Sequence, residues 1–259
     1  MPNQDLAVTL VQSDIAWESV DQNLQRMERH LSAVNDSQLI VLPEMFTTGF
    51  SMRPEKIAET MDGKAVQWLR DTARAKRADL VGSVAIEDQG RYYNRLLWAK
   101  ADGSLFSYDK KHLFSFAGEH EHYTAGDAPL IVKVDGWSVA AFVCYDLRFP
   151  VWSRNNNSQY DLALYIASWP ERRSKHWQAL LPARAIENQA FVIGVNRVGV
   201  DGNDIRYSGD SMLIDPLGDT LYHGRQLESV HQARLSRAQL DDVRAQFPFL
   251  KDADRYQLV

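Results

Sequence analysis

The chain reads as an α/β protein in which helices cover sheets, and three observations predict this. Apolar strand-like runs alternate with segments of helical spacing, the order strand-helix-strand occurs in each half, and two Asp-Gly pairs sit where hairpins would turn. "LAVTLVQ" (6–12) and "SQLIVLPE" (37–44) are the first two strands, and between them Leu24, Met27, Leu31 and Val34 fall on one helical face. "KAVQWLRDTARAKRA" (64–78) is a second amphipathic helix, with Val66, Leu69 and Ala73 on its apolar side, and "DLVGSVAIE" (79–87) is the next strand. Hairpins are expected to turn at Asp102-Gly103 and Asp135-Gly136, because such turns demand positive φ.

The second of these hairpins ends in "VAAFVC", and a helix is expected to begin near Pro150. The second unit runs from a strand at 160–168, through a helix at 174–190 bent by Pro182, to a strand at 190–199. Short strands around Pro216-Leu217-Gly218, a strand "SVHQARLS", a helix and a tail ending in "DRYQLV" complete the chain. There is no linker, low-complexity stretch or short repeat, so one domain spanning residues 1–259 is expected.

The 259 residues are 45% hydrophobic and 24% charged, with a formal net charge of -5 at pH 7, which is ordinary for a globular protein. This mildly acidic balance lacks the clustered Lys/Arg that binding to nucleic acid requires. No segment is apolar over the length a bilayer requires, and the N-terminus has no basic-then-apolar pattern, so neither export nor a membrane partner is expected. One cysteine cannot form an intrachain disulfide, which points to the cytoplasm.

That cysteine, Cys144, lies in "FVCYDLRFP" (142–150), where a buried strand gives way to charge. By itself it is a small core residue. Glu44 ends the strand of "LIVLPEMFTTGF", two lysines follow a strand in "YDKKHLF", and "GEHEHYTAGD" sets Glu119, His120, Glu121 and His122 in a loop. Each of these also has an ordinary reading, as a solvated carboxylate, as solubilising charge or as a polar loop. Together they place a carboxylate, a lysine and a thiol after three strands, and open α/β folds gather their sites at the carboxyl ends of strands. A thiol beside a base, with a cation to hold an oxyanion, describes acyl transfer through a thioester.

Other arrangements explain less. A Cys-His protease using His112 or His176 leaves Glu44 and the lysines without a role. The His-Glu-His spacing of residues 120–122 lacks the i, i+4 geometry of helical zinc ligands. A binding or assembly module on the same fold would be expected to have lost the constellation.

"LPEMFTTGF", "YDKKHLF" and "VCYDLRFP" resemble, in this order, the three catalytic motifs of the nitrilase, or carbon-nitrogen hydrolase, superfamily. The likeness runs end to end, through "HWQALLPARAIENQAFVIGVNR" and "GDSMLIDPLGD", and the wording "EMFTTGFSM" and "CYDLRFP" is similar to that of its bacterial ω-amidase branch. The resemblance implies a Glu-Lys-Cys triad with Glu44 as general base and Cys144 as nucleophile. Tyr108 and His112 fix the register that makes Lys110, not Lys111, the catalytic lysine. A second glutamate seven positions before a loop glycine matches Glu119 and Gly126, leaving Glu121 out of register, and Ala125 stands where proline is common.

The resemblance also implies a four-layer αββα sandwich of two mixed sheets flanked by helices. It implies a homodimer formed through helices, with the Pro182 helix and the C-terminal tail at its interface, and no cofactor or metal. The expected substrate is a small dicarboxylate monoamide such as α-ketoglutaramate or α-ketosuccinamate, with an N-carbamoyl amino acid or another aliphatic amide as the rival. On that reading the Tyr145 N–H helps hold the oxyanion, Arg172 or Arg173 meets the distal carboxylate, and Trp169 and Phe116 are apolar walls. Arg148 is expected to pair locally with Asp146.

Overall fold

The computed structural model describes residues 4–254. Its elements are β1 (Leu6–Gln12), α1 (Val20–Leu31), β2 (Leu39–Val41), α2 (Pro54–Ile57), α3 (Lys64–Lys76), β3 (Asp79–Asp88), β4 (Arg91–Ala99), β5 (Leu105–Asp109), α4 (Glu119–His122), β6 (Leu130–Val134), β7 (Trp137–Val143), β8 (Leu162–Ala167), α5 (Ser174–Asn188), β9 (Phe191–Asn196), β10 (Val198–Val200), β11 (Arg206–Ile214), β12 (Thr220–Arg225), β13 (Ser229–Leu235) and α6 (Arg237–Gln246). One sheet has the order β13-β1-β2-β3-β4-β5, and the other β10-β11-β9-β8-β7-β6 with β12 paired to β11. Both are mixed. β1, β2 and β3 run parallel, as do β7, β8 and β9, while the hairpin partners β4, β5 and β6 run antiparallel.

The alternation of side chains along each strand decides the layering. Leu6, Val8, Leu10, Leu39 and Val41 point into a core shared with Val139, Ala141 and Ile193, so the two sheets pack face to face. Their neighbours Val11, Ile40 and Leu42 point the other way, onto Leu24, Met27 and Leu31 of α1 and Val66, Leu69 and Ala73 of α3. Helix α5 covers the second sheet. A Cβ on Gly194 of β9 would lie 2.4 Å from Leu181 Cδ1, so only glycine admits the helix this closely. The molecule is thus the expected four-layer αββα sandwich.

The Asp135-Gly136 hairpin has φ of 44° and 87°, both positive as the turn demands. Helix α5 continues through Pro182. The helix expected near Pro150 is absent. A 3-10 turn, Cys144–Arg148, comes before that point, and Phe149 lies outside helical backbone at φ -114°, ψ 85°, as the following proline favours. The strand expected over 37–44 shortens to β2, and the loop of the His-Glu-His stretch forms the single turn α4. The tail "DRYQLV" lies beyond residue 254, apart from Asp254, and so outside the described residues. Among the described residues, no helix is long and apolar enough to cross a membrane.

Candidate active site

Four strand ends converge. Leu42 still donates to Val81 O, but Pro43 has no N–H to offer, so the chain leaves the sheet and carries Glu44 off its edge. Lys110 directly follows β5, Cys144 follows β7 and Ser168 follows β8. Cys144 and Met45 adopt left-handed backbone, at φ 46° and 45°, a conformation that costs a non-glycine residue about 1–2 kcal/mol. Sharp turns at both strand tips thereby aim Glu44 and Cys144 into one space.

Lys110 is the hub of that space. Its Nζ lies 3.0 Å from Glu44 Oε1, 3.0 Å from Glu119 Oε1 and 2.9 Å from Glu119 Oε2, and all three side chains are fully buried. The Phe50 ring faces the ammonium at 4.9 Å. Glu44 Oε2 accepts from the Ser168 N–H at 2.7 Å, and Glu119 Oε2 from the Phe114 N–H at 2.6 Å. Gly126 packs against the backbone beside Lys110. A Cβ there would lie 2.2 Å from Asp109 O, which accounts for the glycine seven residues after Glu119.

Burial opposes the charge on Lys110, yet the carboxylates of Glu119 and Glu44 outweigh it and hold the ammonium above the ordinary lysine range. Burial also raises Glu119, with Lys110 pulling the other way and Glu44 adding to the rise. Burial, then Glu44, push the Cys144 thiol well above the ordinary cysteine range, opposed by Lys110. At neutral pH the sulfur therefore carries its proton, and a base must remove it for the thiol to act as a nucleophile.

Cys144 opens onto a cavity of about 250 Å³ lined by every other residue expected to touch substrate: Phe116, Tyr145, Trp169, Arg172 and Arg173. Phe116 is 78% exposed at the rim, so it forms a mouth more than a wall, while Trp169 is buried. Arg173 lies over the Phe114 ring at 4.9 Å, and among the described residues neither Arg172 nor Arg173 has a carboxylate partner. Burial, then the charge of Arg172, hold Arg173 below the ordinary arginine value.

The expected Arg148–Asp146 pair does not form. Asp146 is fully buried and accepts from the Tyr108 hydroxyl at 2.7 Å, the Val143 N–H at 2.9 Å and the His112 N–H at 3.0 Å. Arg148 instead lines the cavity, over the Trp169 ring at 4.8 Å and 2.9 Å from His176 Nδ1. The two histidines weighed as protease partners are thus engaged elsewhere, His112 on Asp146 and stacked on Phe149 at 3.8 Å, and His176 on Arg148. His120 and His122 are exposed, and no cluster suited to a metal ion occurs among the described residues.

Asn94 was not legible as a site residue. From the middle of β4 its Nδ2 donates to Glu44 Oε1 at 2.8 Å and to Glu119 Oε1 at 3.2 Å. The sequence offers only a polar residue between "YY" and "RLLW", with nothing to mark which way it faces.

The family model for carbon-nitrogen hydrolases matches residues 7–245. The chain is 46% identical over 254 residues to the omega-amidase YafV of Escherichia coli, covering 98% of each, and 33% identical over 250 residues to the 2-oxoglutaramate amidase of Bacillus subtilis, covering 95% of this chain and 96% of the relative. A solved CN-hydrolase superfamily protein of Xanthomonas campestris, with an arsenic adduct in its active site, superposes with TM-score 0.97 at 44% identity, covering 98% of this chain and 99% of that one. With the family model matched from residue 7 to residue 245 and omega-amidase relatives aligned along almost the whole chain, this protein is an amidase that belongs to the carbon-nitrogen hydrolase family.

Proposed function

We propose that the enzyme hydrolyses the terminal amide of small dicarboxylate monoamides, α-ketoglutaramate and α-ketosuccinamate, to the α-keto acid and ammonia. The observation that carries this reading is that one cavity holds Cys144 and two arginines that have no carboxylate partner among the described residues. A carboxylate at the far end of the substrate would meet Arg173 and Arg172 while its amide reaches the sulfur, and guanidinium favours that partner. The omega-amidase and 2-oxoglutaramate amidase names of relatives at 46% and 33% identity support the same substrates.

Glu44 takes the thiol proton as sulfur attacks the amide carbon. The resulting oxyanion is held by the Tyr145 N–H and by Lys110. An ammonium has three donors, and if Glu44 takes one and the Glu119 carboxylate shares another, one remains for the oxyanion. Collapse breaks the C–N bond, and Glu44 returns its proton to nitrogen, releasing ammonia and leaving a thioester on Cys144. Water oriented by Glu119 then gives a proton to Glu44 and attacks the carbonyl. Collapse of the second intermediate expels the sulfur, which takes the proton back. The scheme draws on no cofactor or metal.

The reading further takes the chain as one catalytic domain over residues 1–259, acting in the cytoplasm as a homodimer that pairs through α5. It is tested by ammonia release from α-ketoglutaramate beside a simple aliphatic amide and an N-carbamoyl amino acid. Preference for the ketoamide supports it, and turnover of the carbamoyl compound alone would overturn the substrate assignment.

A further inference from the structure

Glu44 presents two unlike oxygens. Oε1 accepts from both Lys110 Nζ at 3.0 Å and Asn94 Nδ2 at 2.8 Å, whereas Oε2 accepts from one backbone donor, Ser168 N–H, at 2.7 Å. Asn94 is fully buried, and its other hydrogen bond goes to Glu119 Oε1 at 3.2 Å. Among the described residues its own Oδ1 has no partner. The orientation of this amide is dictated by charge: turned over, Oδ1 would face two carboxylates and both N–H donors would be lost. The backbone carbonyl of the same residue accepts from the Lys110 N–H at 3.1 Å, so Asn94 touches the lysine and both glutamates.

We infer that Asn94 is a positioning residue for the reaction: by dividing its two N–H donors between Glu44 and Glu119 it sets the spacing of the carboxylates and leaves Glu44 Oε2 as the oxygen that takes the proton from sulfur. With Oε1 occupied by an ammonium and an amide, the accessible lone pair lies on Oε2. Two buried carboxylates sharing one lysine repel each other, and a neutral donor between them offsets that repulsion without adding a charge that would compete with Lys110 for the oxyanion. Lysine or arginine at position 94 would add such a charge. Asparagine does not.

The inference rests on the amidase reading of the site, so its test uses one readout that needs no substrate. Asn94→Leu keeps the branched shape and the number of heavy atoms and removes both donors, and Asn94→Ser keeps a single donor. The rate of alkylation of Cys144, the only cysteine, by iodoacetamide is followed against pH in both variants and in the parent protein. Losing a donor makes the carboxylate pair hold a proton more tightly, so the acid limb should move up by about one pH unit in Asn94→Leu and by less in Asn94→Ser. In ammonia release from α-ketoglutaramate, kcat should fall about 10²-fold in Asn94→Leu while KM stays within about threefold, because the cavity is untouched. A residue that merely fills space would leave the pH limb in place and tolerate leucine. Folded variants with the parent's pH profile would overturn the inference, as would loss of folding in both, which would make Asn94 a core residue only. A shifted alkylation profile in an enzyme inert towards the ketoamide would keep the inference and sink the substrate assignment instead.

Discussion

The Tyr108 hydroxyl donates to Asp146 Oδ2 at 2.7 Å, and through this bond the strand that leads to Lys110 is tied to the turn that begins at Cys144. The same hydroxyl accepts from Trp152 Nε1 at 3.0 Å and the Lys111 N–H at 3.2 Å, and Asp146 also accepts from the Val143 N–H just before the cysteine. Tyr108→Phe leaves a buried carboxylate short of a donor and two N–H groups short of an acceptor. It should cost about 1.5–3 kcal/mol in denaturant unfolding and lower kcat more than it changes KM. Unchanged stability and kcat would show that the brace does not hold the site.

Glu44→Gln separates thiol ionisation from catalysis. Burial and then the Glu44 charge raise the Cys144 thiol, so a neutral amide at position 44 removes one cause of the rise while Lys110 still acts to lower it. Thiolate absorbance should therefore appear at lower pH in the variant than in the parent. Turnover should nevertheless be lost, because no base remains to return a proton to the leaving nitrogen. A thiolate that titrates as in the parent would remove Glu44 from the neighbourhood of the sulfur.

Lys110→Met leaves two buried carboxylates without their cation, a change that typically costs about 3–5 kcal/mol. Glu119 is raised by burial, against the pull of Lys110. A carboxyl raised on folding contributes stability that is fully present below its unfolded value of 4.5 and is lost as pH rises through the folded value. Without Lys110 that folded value climbs further, so the deficit relative to the parent should be larger at about pH 8 than at about pH 5. Urea unfolding at the two pH values measures it, and an equal deficit would contradict the charge argument.

Arg173→Ala should raise KM for α-ketoglutaramate by about 10- to 100-fold, the loss expected for one charge-assisted hydrogen bond. KM for an uncharged aliphatic amide should stay the same, and Arg172→Ala should have the smaller effect because that side chain is exposed. Equal effects of Arg173→Ala on both amides would mean that the arginine shapes the cavity without meeting a carboxylate.

Glu44 and Cys144 were legible because strand periodicity breaks at "PE" and at "VCYD", and a polar or reactive group at a strand tip stands out. Lys110 and Glu119 needed the register of Tyr108, His112 and Gly126, since two adjacent lysines and two nearby glutamates look alike one by one. Asn94 was illegible: a polar residue in a hairpin strand reads as solvent-facing until a second strand end is known to lie over it. Proximity in sequence pairs Arg148 with Asp146. In a 3-10 turn, positions two apart point to different sides, so Asp146 turns inward to Tyr108 while Arg148 faces the cavity. The antiparallel pairing of β13 with β1, from Leu6 with Leu235 to Gln12 with Ser229, joins the two ends of the chain and leaves no local signal of its partner.

On the proposed thioester route an acyl group is carried on Cys144, and it can be caught by intact-mass analysis of enzyme quenched in acid during turnover of α-ketoglutaramate. A single adduct with the mass of the amide's acyl group should be found on Cys144, with neither adduct nor turnover in Cys144→Ala. Steady turnover by Cys144→Ala would contradict it.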